Sequence, residues 1–479
     1  MKGNYGNVMD KVKTTCKGKT EIKIADLLYY IFLIIMFGLK GFGLYDGQAV
    51  YRIFFWTAML CVVGKIFLTN YTKKEWFWII LLGILAVLIE RNSGEKGVLI
   101  TYAIVAGMKG ISWKRILHMG AGIYGVTLCF MITFFGIFLD KSTYIVHSRL
   151  GMGDVMRYGL GYAHPNTLMV TYFVTCALIA ICLEKKYSWK HAIALEVGLL
   201  YVYSYCISYT GLITGTLIII MPLYLNMIRK GKLGTVEYII GGAALPFSLA
   251  FSFISPYYFP EGIWNFFERF LPTFTRRFEL AKQYVIPANI SLLGTHVTKV
   301  TDSRFTLDNS FLYTFVFEGV LFFGIIIGLY FYMMYRLIKE KRNLELIVTC
   351  VFFVQAIMEP FMFNTSFKNI TLFFLGELIW DKSESVEGRF DKIKIVLPNW
   401  LIKYTNMILE CWKQNGKKVL MISSITGVTV LLICLVKDVI LNSADVMTMA
   451  VWRSNFAIAW FITIFVAFIC FGVKYRNIR

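Results

Sequence analysis

Charge is scarce in this chain of 479 residues: Asp, Glu, Lys and Arg together make up 16%, where a soluble globular protein carries about 25%. Acids are the rarer sign, 29 against 49 Lys and Arg. So apolar a chain is not an intrinsically disordered one, which needs the opposite composition. Cysteine is present but unpaired in pattern. Cys16 and Cys411 lie in basic segments and the other eight sit inside or at the ends of apolar runs, so neither a disulfide framework nor a zinc ligand set is legible. Also missing are the phosphate loop G-x-x-x-x-G-K-[ST], H-E-x-x-H, a glycine fingerprint after a strand and a serine nucleophile elbow. Their absence argues against ATP-driven transport within this chain.

What is present is hydrophobic surface. Apolar residues make up 57% and aromatics 17%, more than one core can hide, so long apolar segments must recur. At ~20 residues each, 14 spans absorb ~280 residues. The expected fold is an all-α polytopic membrane protein with 14 transmembrane helices. The runs lie near 24–43, 50–69, 76–90, 97–110, 116–139, 165–184, 191–207, 209–228, 235–254, 309–335, 344–359, 366–380, 419–436 and 454–473. The first is too long for a signal-peptide core and no clear cleavage site follows it, so it reads as an uncleaved anchor. The expected organisation is a basic tail (1–23), spans one to nine (24–254), a long loop (255–308), spans ten to twelve (309–380), a basic loop (381–418) and a terminal hairpin (419–473).

The formal net charge of +20 fits contact with anionic lipid head groups better than nucleic acid in so apolar a chain. With the N-terminus inside, about two thirds of the basic residues fall on the inner side. Both termini are therefore expected in the cytoplasm and loop 255–308 outside. In that loop, Glu261 to Tyr284 reads as an amphipathic helix, with Trp264, Phe267 and Phe270 among Glu268, Arg276 and Arg277. On the inner side, Trp400 to Trp412 reads as an interfacial helix.

Ionisable groups at the outer ends of spans are the functional candidates. His164-Pro165-Asn166 opens a span, with proline at the favoured first helical position, and Arg149 and Arg157 precede it. A helix N-terminus flanked by arginines suits phosphate or pyrophosphate; the plainer reading is a helix cap with arginines reaching the interface. Arg276, Arg277 and Arg304 repeat the theme ahead of Asp308, whose plainer role is an N-cap. Glu318 lies near the middle of its expected span, where a carboxylate must be satisfied in the bundle or line a polar cavity. Ser208 to Gly211 makes a tight outer turn.

In order along the chain, these motifs resemble those of the Wzy-type polymerases of bacterial surface polysaccharides, relatives of the O-antigen ligases. Gly161-Tyr162-Ala163-His164-Pro165-Asn166 is similar to their G-x-x-H-P-N helix start. Ser208-Tyr209-Thr210-Gly211 resembles S-R-[ST]-G, with Tyr209 in place of the arginine. Arg276-Arg277-Phe278-Glu279-Leu280 followed by Leu292-Leu293-Gly294 resembles G-R-[LFW]-x-[LW] with its L-F-G, although Arg276 replaces the glycine. Leu307-Asp308-Asn309-Ser310-Phe311-Leu312 resembles V-D-[NS]-S-[YF]-L. The likeness covers about residues 20 to 380.

The resemblance implies a glycosyltransferase at the outer face of the bacterial cytoplasmic membrane, needing neither metal nor other cofactor. Its substrates would be undecaprenyl-pyrophosphate-linked oligosaccharides, one chain passing from its pyrophosphate to the non-reducing end of another repeat unit. Membrane lipids, a flippase and a chain-length regulator are the implied partners, with no nucleic acid. Arg149, Arg157, Arg276, Arg277 and Arg304 are the pyrophosphate-binding candidates. Asp308 and His164 are the candidate bases, ahead of His147 and His296. A ligase that passes glycan to another acceptor and a flippase without chemistry are the competing readings.

Overall fold

The computed structural model describes residues 21–139, 142–149, 153–258, 277, 280–297, 307–363, 367–381, 383, 393–441 and 449–476. All fourteen apolar runs are helical in whole or part. In chain order they give α1 (Ile24–Gly41), α2 (Ala49–Leu68), α3 (Lys73–Ser93), α4 (Gly97–Gly107), α5 (Trp113–Ile137), α6 (Pro165–Leu183), α7 (Trp189–Cys206), α8 (Tyr209–Leu223) and α9 (Thr235–Tyr258). After the long loop come α10 (Ser310–Tyr313), α11 (Val320–Lys339), α12 (Asn343–Met358), α13 (Thr371–Trp380), α14 (Asn399–Leu441) and α15 (Met449–Arg476).

Among the described residues, ten helices are long and apolar enough to cross a membrane. This is fewer than the fourteen expected. α4, α12 and α13 are short, with 11, 16 and 10 residues, and α7 carries Lys190, His191 and Glu196.

Local chemistry sets the helix ends. Thr72 and Glu75 form a reciprocal capping box at the start of α3, and Gly94, at φ +75°, closes it in the left-handed conformation. α6 runs through the middle of the bundle against α5, α7 and α8, with 78% of its apolar window buried. Buried tyrosines tie the helices together through their hydroxyls. Tyr29 donates to the carbonyl of Ile104 at 2.7 Å, Tyr124 to Phe367 at 3.1 Å and Tyr162 to Gly41 at 2.7 Å. Interhelical hydrogen bonds of this kind are worth about 0.6 kcal/mol each on average in a membrane protein.

The polar connections gather at two ends. At one end, Glu75 meets Lys109 at 2.7 Å and Ser383 at 2.7 Å, the Trp380 indole donates to the Val105 carbonyl, and Arg336 reaches Asp381. At the other, Lys96 pairs with Asp46 and Asn92 donates to the Gly294 carbonyl.

Three features differ from the sequence expectation. Two small antiparallel sheets interrupt the helical fold: β1 (Glu21–Lys23) with β4 (Lys394–Val396), and β2 (Tyr144–Arg149) with β3 (Gly153–Tyr158). The second pair is a hairpin whose strands are rich in β-branched and aromatic side chains. The interfacial helix expected at 400–412 is instead the first part of α14, a single helix of 43 residues. Its intervening Lys, Gln and Asn are compatible with helix, and the lone Gly416 costs only about 1 kcal/mol. The expected 309–335 span is broken: α10 continues into a π turn (Thr314–Glu318), and Gly319 at φ +92° separates it from α11. Most of the expected amphipathic helix lies outside the described residues, of which Arg277 and 280–284 are helical.

Candidate functional site

The site is built around Glu359, which follows α12 and is 2% exposed. Three parts of the chain reach its carboxylate. Asn166, in the first turn of α6, donates through Nδ2 at 3.2 Å to Oε1, and the Thr210 hydroxyl, in the first turn of α8, donates to the same oxygen at 3.1 Å. The Arg277 guanidinium lies 3.3 Å away through Nη2. The positive ends of two long helices thus face one buried anionic side chain.

Arg277 lies between two acids. Its Nε is 3.5 Å from Asp308 Oδ2, and its Nη1 donates to the Met358 carbonyl. Burial alone would lower the guanidinium's pKa, but Asp308 and Glu359 outweigh it and raise it. Burial pushes the Glu359 carboxyl up against the pull of Arg277.

Asp308 is available for this pairing because Asn309 takes the cap. Its Oδ1 accepts from the Leu312 amide at 3.0 Å, while its Nδ2 donates to Ser252 at 2.8 Å. Ser310 donates to the Glu359 carbonyl at 2.6 Å, fixing the start of α10 against the end of α12.

Arg157 enters from β3 and is 4% exposed. Its Nε donates at 2.6 Å to the carbonyl of Cys206, the last residue of α7, and its Nη2 donates at 2.6 Å to Asn166 Oδ1. A cation at a helix C-terminus is the favoured arrangement, and the planar fork lets one side chain serve both partners. Through Asn166, Arg157 is linked to Glu359 and so to Arg277.

His164 is the N-cap of α6, its Nδ1 accepting from the Asn166 amide at 3.1 Å. Burial first, and Arg157 second, lower its pKa to about 4. A neutral ring whose Nδ1 accepts carries its proton on Nε2. This geometry makes the His164 Nε2–H a donor toward anything bound in front of α6.

The structure therefore brings together His164, Arg157, Arg277 and Asp308 from separate segments. Arg149 is different. Strand register puts it opposite Gly153 at the hairpin tip, about 14 Å along the strand from the level of Arg157 at 3.4 Å per residue, and its side chain lies outside the described residues. Arg276 and Arg304 lie outside the described residues altogether. His147 sits on the exposed face of β2, and His296 packs over Gly94.

Sequence reasoning named Asn166 and Thr210 only within their motifs, and missed Glu359 and the buried Lys368, whose Nζ donates to the Thr167 carbonyl in the first turn of α6 at 3.0 Å. One signal was there: Glu359-Pro360 is an acid closing an apolar run on the expected outer side. Among the described residues, no three His, Cys, Asp or Glu side chains converge as a metal site. Comparison of the chain with family models, with curated proteins and with solved structures gives no match.

Proposed function

We propose that the protein is a lipid-linked glycan polymerase, transferring an undecaprenyl-pyrophosphate-bound chain to the non-reducing hydroxyl of another lipid-linked repeat unit. The observation that carries this reading is the Arg277 guanidinium held between Asp308 and Glu359, where the N-termini of α6 and α8 converge. A leaving pyrophosphate needs positive charge and hydrogen-bond donors already in place. Arg277, Arg157 and the His164 Nε2–H supply both.

In this mechanism the pyrophosphate competes with Asp308 for Arg277. The freed carboxylate then takes the proton of the acceptor hydroxyl as that oxygen bonds to the sugar's anomeric carbon. The bond from that carbon to the pyrophosphate breaks, and its electrons leave with the pyrophosphate. Glu359 holds Arg277 and the two helix starts in register throughout.

The membrane arrangement belongs to the same proposal. All fourteen apolar runs cross the bacterial cytoplasmic membrane, the short helices where the bilayer thins around them, with both termini cytoplasmic and the Glu359 cluster outside. A flippase delivering substrate and a chain-length regulator are its protein partners.

Incubating the purified protein with defined lipid-linked repeat units tests the reaction. A ladder of chain lengths is the expected product. A single new product on an added acceptor would reassign the protein as a ligase, and unchanged substrate as a transporter.

A further inference from the structure

A second buried polar group lies at the helix break, apart from the Glu359 cluster. In a continuous helix the amides of Val320 and Leu321 would donate back to the carbonyls of Val316 and Phe317. Here they donate instead to Ser291 at 3.0 Å and Leu292 at 3.2 Å, which releases those two carbonyls from the helical ladder. The 291–296 segment is wedged against the break. A Cβ on Gly294 would stand 2.3 Å from the Phe317 carbonyl oxygen, and one on Gly319 would stand 2.2 Å from the Gly294 nitrogen.

Beside the break, Glu318 is 0% exposed, and neither of its carboxylate oxygens meets a hydrogen-bond partner in good geometry. The same holds for the Thr314 hydroxyl, also 0% exposed. Glu95, in the turn between α3 and α4, is the charged side chain whose field reaches Glu318, and the Tyr313 side chain lies beside it. Two acids, two hydroxyls and released carbonyls thus share one interior region. Unwound carbonyls beside a buried carboxylate are how broken membrane helices commonly hold small cations.

The charges around this region favour a monovalent ion. Asp46 is paired with Lys96. His296 faces Glu95 from the wedged segment. The remaining oxygens, from Thr314 and the freed carbonyls, are neutral, a donor set suited to a small monovalent cation. Among the described residues, no three His, Cys, Asp or Glu side chains converge as a metal site of the kind that suits a divalent ion.

We infer that Glu318, Glu95, Thr314 and the carbonyls freed at the Gly319 break form a sodium site that holds the broken helix together. This inference is independent of the glycan chemistry, because its readout is ion binding and stability.

The test uses the purified full-length protein at pH 8, with sodium chloride replaced stepwise by choline chloride at constant ionic strength. Sodium is expected to raise the melting temperature in a saturable way and radioactive sodium to bind as a single ion per chain, both effects being lost in Glu318→Gln. Equal stabilisation by choline would overturn the site. So would full stabilisation in choline on acidification with no sodium effect at pH 8, which would make the bound ion a proton. If Glu318→Gln fails to reach the membrane, Thr314→Val, which keeps every charge, should shift the sodium midpoint several-fold upward. An unchanged midpoint would overturn the assignment.

Discussion

Arg277 and Glu359 are 82 positions apart and meet at 3.3 Å, joining the long loop to the end of α12 beneath the first turns of α6 and α8. Neither residue is held by this pair alone, so each variant at these positions tests a network rather than one bond.

Glu359→Gln should be the most damaging single change in this network. It keeps the shape but leaves the buried Arg277 charge with Asp308 alone, at a cost of about 3 kcal/mol or more. Polymerising activity should fall at least ~100-fold, equivalent to about 2.7 kcal/mol of barrier, with Glu359→Asp retaining more. Near-normal activity in the Gln variant would remove Glu359 from the site.

Lysine substitutions separate a forked contact from a mere charge. Arg157 donates to the Cys206 carbonyl and Asn166 together, and Arg277 spans two acids and a carbonyl, neither of which one ammonium can reproduce. Arg157→Lys and Arg277→Lys should each lose most activity while reaching the membrane in normal amount. Arg149→Lys, at the hairpin tip, should work nearly as the wild type does. The lipid-linked ladder assay, read beside membrane abundance, distinguishes them.

His164 gives a signed pH effect. Its folded pKa of about 4 lies below the ordinary value of 6.5, so the unfolded chain binds more protons between these limits. Its contribution to stability is intact above about pH 6.5 and declines as pH falls toward 4, by up to about 3 kcal/mol. Asparagine can still cap α6 but cannot titrate. In melting curves, His164→Asn should lose less stability than the wild type over that interval. Parallel curves would mean that the ring titrates normally.

Because Arg157, Arg277 and the helix N-termini face the proposed pyrophosphate position, chelators should leave polymerisation unchanged. Complete loss in EDTA with rescue by one divalent ion would replace the arginine mechanism with a metal-assisted one.

Orientation can be read by single cysteines at Ser291 and Ser383 in a background lacking the reactive native thiols. An impermeant thiol reagent on intact cells should label the first and spare the second. The reverse pattern would invert the topology.

The helices were legible because a long apolar run has few alternatives to helix in a bilayer. The break at Gly319 was not, since 309–335 is apolar on both sides of it and a single glycine carries no obligation to kink. Motif order pointed to His164, Arg277 and Asp308, and Arg157 was named because it precedes the His164 helix start. Glu359 escaped notice for the opposite reason: it closes a run that looks like ordinary span, and its partners come from residues 166, 210 and 277. Only folding brings those positions together. Asn309 shows the limit at finer scale, since either it or Asp308 could have capped α10 on sequence grounds.

The pairing of β1 with β4 has a consequence for the order of assembly. Glu21 lies opposite Val396, so the first strand cannot pair until more than 370 further residues have been made. At about 5 to 20 residues per second, that delay is roughly 20 to 75 s. During this interval the segment ahead of α1 has no sheet partner, and the strand closes only after residues 394–396 emerge. The β1–β4 ladder is therefore a late contact, formed after α13 has been made, and deleting β4 should leave the helices in place while exposing residues 21–23 to protease.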